Sequence, residues 1–222
     1  MSDARIIERW RDNAGAWTRA VREGRIVSRA LVTDAAIVDA VVSRRPSSVL
    51  DIGCGEGWLA RELGRRGIDV LGVDAVADLV ERARSAGGAR FEAISHEQIA
   101  DGAITQRFDL CVCNFSLLGE ASTNGLIARV PQLLNPGGAL LVQTLHPLTA
   151  DAQHAYRDGW REGSWRGIEG DFGAPAPWYF RTLQTWVKMY ADAGLRIAEL
   201  REPAHPQTAL PLSMILAGIA DA

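Results

Sequence analysis

Between Ser48 and Leu145 short apolar runs alternate with helical stretches, and that alternation leaves the chain few folds to choose from. The runs "VLDIG", "DVLGVD", "ARFEAI", "FDLCVCN" and "GALLVQTL" predict five strands. Between them, "GWLARELGRR" predicts a helix closed by Gly67, and "VADLVERARSA" predicts another. "TNGLIARVPQLL" predicts a third helix, kinked or restarted at Pro131. Strands that are apolar throughout are buried on both faces, so the pattern specifies a doubly wound α/β fold with a parallel sheet between helical layers.

The flanks follow other rules. Ile6, Trp10, Ala14, Trp17 and Val21 recur at helical spacing and predict an amphipathic first helix. A second helix is expected from Asp34 as N-cap, with Ile37, Val38, Val41 and Val42 on one face, stopping before Pro46. After Leu145 the period vanishes, and residues 146–181 hold five glycines, three prolines and many aromatics. A long loop without regular structure inside a compact domain is commonly a functional lid. Regularity returns with the helix "RTLQTWVKMYADAG" and the strands "LRIAELRE" and "PLSMILAG". The expected organisation is a single domain over 1–222. It comprises a helical cap (1–46), a cofactor-binding core (47–145), a substrate lid (146–181) and a C-terminal helix with strands (182–222).

Composition removes several functions. A net charge of −3 gives no basic face for a nucleic acid, so no nucleic-acid partner is expected. Cys54, Cys111 and Cys113 are odd in number and lack zinc spacing; they read as buried small hydrophobes, and no metal site is expected. The N-terminus lacks the apolar core of a signal peptide, and "LPLSMILAGIA" is too short to span a bilayer. A cytoplasmic protein with no membrane partner is the expectation.

The most informative stretch is "VLDIGCGEGWLAREL". A glycine-rich turn between strand and helix lets a ligand approach the backbone, and the helix N-terminus offers free N–H groups. Asp51 precedes the turn, where a carboxylate opposes a pyrophosphate but suits an amino-bearing ligand. Asp74, about 20 residues beyond the glycines, stands where a ribose-binding acid belongs. Gly53, Gly55 and Gly57 alternate, unlike the dinucleotide spacing, which would place Trp58 where a small residue is required. The plain alternatives are turn geometry for Gly55 and a helix cap for Asp74.

Together "VLDIGCGEG", the acid of "GVDA", "FDLCVCN" and "LNPGGALLV" resemble a class I S-adenosylmethionine-dependent methyltransferase over about Ser48 to Thr144. The resemblance implies a Rossmann-like, seven-stranded, mostly parallel sheet whose last strand is antiparallel, with N-terminal helices and a lid insertion after the fifth strand. It implies S-adenosyl-L-methionine as cofactor. The turn Gly53, Cys54, Gly55 would pass under its methionine part, Asp51 would orient the amino group, and Asp74 with Ala75 would hold the ribose. Ser95 and His96 would flank adenine, although many relatives carry an aspartate there. Asn114 would lie near the sulfonium, while Trp17 and Arg22 would close over the methionine end.

Methyl transfer from a sulfonium needs alignment first, and a general base only where the acceptor must lose a proton. The candidate base is His146, at the end of the fifth strand in "QTLHP"; the alternative is a lid anchor. His154 and His205 are expected to be structural or solvated. "NFSLLG" is not the Asn-Pro-Pro-aromatic motif of nucleobase methylation, and no carboxylate set suggests a magnesium site. In the lid, Trp160, Trp165 and Trp178 are the expected apolar walls for a planar or apolar small-molecule acceptor. Arg161, among the interleaved Arg157, Arg166 and Arg181, is the expected partner of an acceptor carboxylate. These aromatics serve equally for a cap packed on itself or a homodimer surface. The function expected is S-adenosylmethionine-dependent methylation of an O, N or C nucleophile. The rivals are a non-catalytic binder of the same cofactor and a nicotinamide-dependent oxidoreductase.

Overall fold

The apolar runs become the strands β1 (Ser48–Ile52), β2 (Asp69–Asp74), β3 (Arg90–Ala93), β4 (Phe108–Asn114) and β5 (Leu134–Leu145) in a computed structural model that describes residues 1–151 and 153–220. The helices are α1 (Asp3–Arg22), α2 (Asp34–Val42), α3 (Trp58–Gly64), α4 (Ala77–Ala86), α5 (His96–Ala100), α6 (Ala121–Arg129) and α7 (Leu183–Asp192). Two lid strands follow β5, namely β6 (Gly159–Arg161) and β7 (Trp178–Phe180), and β8 (Leu195–Arg201) and β9 (Ser213–Ala220) close the chain.

The main sheet has seven strands in the order β3-β2-β1-β4-β5-β9-β8. The first five pair in parallel, while β9 runs antiparallel to both β5 and β8. Alternate residues of each strand feed opposite cores. Leu50, Ile52, Cys111, Cys113 and Leu140 pack with Ile99, Leu126 and Tyr190 of α5, α6 and α7. Val49, Leu110, Val112 and Leu141 pack with Ile37, Leu59 and Val80 of α2, α3 and α4. Burying each such side chain fully contributes about 1.5–3 kcal/mol, so the central strands are the least replaceable part of the chain. The three cysteines are free and buried among them, and burial pushes their thiols up.

Three expectations are refined. Asp34 does not cap α2: the helix continues out of a π-helical turn, Arg29–Thr33, and Asp34 is itself helical while its carboxylate accepts from Arg29 Nε at 2.8 Å. Pro131 restarts the chain as a 3-10 turn, Val130–Leu133, after α6. The lid is not wholly irregular, since β6 and β7 form a short antiparallel ladder. All five parallel strands end at one edge, and the strand order reverses between β1 and β4. That reversal opens the crevice in which α/β sheets hold ligands.

Candidate functional site

The crevice is a cavity of about 1140 Å³, lined by the glycine turn, α1, the ends of β2 and β4, and the lid. Drug-sized ligand pockets run to about 1,000 Å³, so it has room for more than one small ligand.

The three glycines of the turn do different work. Gly53 has φ +74°, and a Cβ there would lie 2.2 Å from Ser116 Cβ. Gly57 has φ +83°, and a Cβ would meet the Phe91 ring at 2.7 Å. Both are absent of side chain because protein packs against them. Gly55, at φ +58°, is different: a Cβ would meet nothing nearer than Trp17 Nε1 at 3.7 Å. Its open side is the cradle, roofed by the indole.

Asp74 fastens the turn. One of its oxygens accepts from Gly55 N at 2.9 Å and the other from Val76 N at 2.8 Å. These bonds brace the glycine turn and do not cap α4, whose N-cap is Val76, and each carboxylate oxygen keeps a lone pair for a further donor. Asp51 lies beneath, 1% exposed, on the face it shares with Val49, and among the described residues its Oδ2 has no partner. Burial, reinforced by the charge of Asp74, pushes its pKa up to about 7. The folded state thus holds a proton there that the unfolded chain releases near pH 4, so this group's contribution to stability is lost as pH rises from about 4 through about 7. Urea unfolding at pH 5 and pH 7.5 should show that Asp51→Asn removes part of the decline seen in the native chain. An identical decline in both proteins would contradict the assignment.

Glu56, the residue between Gly55 and Gly57, has a side chain that is 0% exposed and accepts from Arg61 Nη2 at 2.7 Å and Arg22 Nε at 2.8 Å. Arg22 is consumed in this clamp, which ties the end of α1 to the turn, and it does not line the cavity. At the other end of α1, Asp3 accepts from Ser122 N at 2.7 Å and Glu120 N at 3.1 Å. In the middle, Asn13 is buried and pairs with the lid through Gly173 N at 2.7 Å and Ala174 O at 3.1 Å. Helix and lid therefore close over the crevice as one body. None of these three was foreseen as a site residue. Asn13 had a signal, being polar on the apolar face of α1 beside Trp10 and Trp17.

The cavity brings together Trp17, Gly53, Cys54, Gly55, Asp74, Ala75, His96, Asn114, Trp160, Arg161, Trp165 and Trp178. Burial holds the imidazole of His96 below its ordinary pKa. Asn114 Oδ1 is buried without a donor among the described residues, and Phe115 beside it takes φ +53°. Asp51, Ser95 and His146 are not on the cavity wall. Ser95 caps α5, accepting from Gln98 N while Gln98 Oε1 takes its own N–H.

His146, expected as the general base, lies off the cavity wall and is held by other contacts. Its Nε2 meets Glu202 Oε1 at 2.8 Å and its Nδ1 accepts from Leu148 N at 3.3 Å. Its carbonyl takes Thr149 N and Ala150 N, so the residue roots the lid. His146→Ala is expected to lower stability and leave kcat within a few-fold of the native value. A loss of about 10²-fold or more, the usual effect of removing a base, would restore the catalytic role.

The lid aromatics pack mostly on each other and on α1. Trp165 stacks on Phe172 at 4.3 Å and meets Trp10 edge-on at 5.8 Å, and its Nε1 donates to Gly173 O at 2.8 Å. Arg161 is neutralised by Asp151 and donates to the Ala155 and Arg157 carbonyls. Among the described residues no group of three His, Cys, Asp or Glu could hold a metal ion, and no helix is long and apolar enough to cross a membrane.

A methyltransferase-domain family model matches residues 25–200 of the chain. An uncharacterized methyltransferase of Mycobacterium tuberculosis is 34% identical over 110 residues, covering 49% of this chain and 56% of that one. A ubiquinone biosynthesis O-methyltransferase of Methylococcus capsulatus is 31% identical over 114 residues, covering 49% and 48%. The chain spans about half the length of the curated relatives it matches. Among solved structures, magnesium protoporphyrin IX methyltransferase from Synechocystis with bound SAH superposes with a TM-score of 0.68 over 99% of this chain and 100% of that one, at 19% identity. At that identity the likeness is one of fold.

Proposed function

This chain belongs to the class I S-adenosylmethionine-dependent methyltransferases, and we propose that it transfers a methyl group to an O, N or C nucleophile of a planar or apolar small molecule. One observation carries the reading: a single cavity contains both a glycine-and-carboxylate cradle and an aromatic, largely apolar wall.

The residues present fit the cofactor. Gly55 leaves open the space under Trp17, Asp74 keeps lone pairs for two ribose hydroxyls, and Asp51 and Asn114 each hold a buried oxygen without a donor. When bound, S-adenosyl-L-methionine supplies a methyl group already activated on a sulfonium. Asp74 would hold the ribose, and the Gly53–Gly57 turn would carry the methionine part. Asp51 acts on the amino group through its charge from below the turn. His96 would flank the adenine, whereas Ser95 caps α5 and lies off the cavity wall. Asn114, whose buried Oδ1 has no donor among the described residues, would lie near the sulfonium.

Alignment and water exclusion then do most of the chemistry, since effective molarity alone supplies on the order of 7–11 kcal/mol at best. The lid provides both, because Asn13 and the Trp10–Trp165 contact lock it onto α1 over the crevice.

The test is incubation of the full chain with methyl-labelled S-adenosylmethionine and a fractionated metabolite pool. Label is expected in a small aromatic or apolar product. Tight cofactor binding with no label transferred to any fraction would favour the non-catalytic binder.

A further inference from the structure

Of the arginines on the cavity wall, Arg29 is paired with Asp34 and Arg161 with Asp151, and Arg166 is solvent-exposed. Arg181 is unlike these. It is 3% exposed, it follows β7 directly, and among the described residues no carboxylate lies within salt-bridge distance of it. Its Nη2 donates to Gly119 O at 2.7 Å and Glu120 O at 3.0 Å, with Asn124 Oδ1 at 3.4 Å. Its Nη1 is buried and, among the described residues, meets no acceptor.

A buried cation with no carboxylate in direct contact is costly, and an unsatisfied buried donor adds to that cost. The strain registers in its acidity: desolvation pushes the guanidinium pKa down to about 10, despite the charges of Asp158, Glu120 and Asp3 further off. What surrounds it is aromatic. The guanidinium carbon stands 4.9 Å from the Tyr179 ring centroid and 5.5 Å from that of Trp186, and both rings line the same cavity. These faces offset part of the cost of burial, but they supply no anion and no lone pair for Nη1.

We propose that Arg181 is the acceptor's anchor, pairing with a carboxylate of the methyl acceptor and so making the substrate class an aromatic or apolar carboxylic acid. The inference rests on the methyltransferase reading and deepens it. The carboxylate is a handle, held by the guanidinium while another atom of the acceptor is presented for methylation; Arg181 itself exchanges no proton and forms no bond. With Nη2 spent on the Gly119 and Glu120 carbonyls, Nη1 is the donor left to meet a carboxylate oxygen in a charge-assisted bond, and the flanking rings suit an apolar body attached to it. Arg161, whose charge Asp151 already neutralises, keeps the lid folded.

The test uses probes matched in shape and differing in charge: benzoate, 1-naphthoate and indole-3-carboxylate, each against its amide. They are titrated into the full chain saturated with S-adenosylhomocysteine, with quenching of tryptophan fluorescence as readout. At least one acid should bind about tenfold or more tighter than its amide, the size of one charge-assisted contact. Arg181→Gln should abolish that preference while leaving S-adenosylhomocysteine affinity within about twofold. Arg181→Lys keeps the charge as a single point and should retain a reduced preference, which serves if the glutamine variant does not fold. No difference between acids and amides, including no binding of either, overturns the proposal. So does a preference that survives in Arg181→Gln. Failure of the native chain to bind S-adenosylhomocysteine overturns the methyltransferase reading itself, and is seen before any acid is added.

Discussion

Gly53→Ala is expected to destabilise the fold by about 3–4 kcal/mol, the largest effect of any single change in the turn. Two independent costs add. An alanine held at a φ near +74° costs about 1–2 kcal/mol, and forcing a methyl into packed space costs typically 1–3 more. The packed space is real here, for the new Cβ would lie 2.2 Å from Ser116 Cβ and 2.8 Å from its Oγ. Ser116 has little freedom to retreat, because its hydroxyl donates to Ile52 O at 2.6 Å. Gly55→Ala is the control. It pays only the backbone cost of roughly 1–2 kcal/mol, yet its methyl enters the space under Trp17. Urea unfolding should therefore separate the two variants by about 2 kcal/mol, while cofactor binding suffers in the one that folds well. Equal stabilities would mean that Gly53 is not packed as described.

Asp74→Ala is expected to weaken S-adenosylhomocysteine binding by roughly 1.5–3 kcal/mol, or about 10- to 150-fold. Loss of charge-assisted hydrogen bonds to the ribose accounts for most of this. The variant also leaves Gly55 N and Val76 N without their acceptor, so the turn itself loosens. Asp74→Asn separates these contributions, since the amide oxygen can still accept from one backbone donor while the negative charge is gone. Calorimetric titration of both variants measures the split. An affinity unchanged in Asp74→Ala would remove the ribose assignment.

The parts of this molecule that were legible in sequence are those fixed by local pattern. The core strands are apolar throughout because both faces are buried, and the glycine turn announces itself by three residues at alternate positions. Asp34 misled because it resembles a cap, whereas the π-helical turn at Arg29–Thr33 already carries the helix into it. The ladder of β6 and β7 was hidden because each strand has three residues, too few for a period to show. Side-chain direction was the main loss. His146 stands at the expected strand end, but its ring is drawn off the cavity wall by Glu202, 56 residues away. Arg161 and Arg181 look alike in sequence, and only the position of Asp151 decides which of them keeps a free charge. Glu56 likewise depends on Arg22, 34 residues earlier. Such pairings are long-range facts, and no local window contains both partners.

The measurement that bears most directly on the central claim is calorimetric titration of the full chain with S-adenosylhomocysteine and, separately, with NAD. Saturable one-to-one binding of S-adenosylhomocysteine and no heat from NAD are expected, because Asp51 and the alternate glycine spacing disfavour a pyrophosphate at the turn. Saturable binding of NAD with none of S-adenosylhomocysteine would contradict that claim.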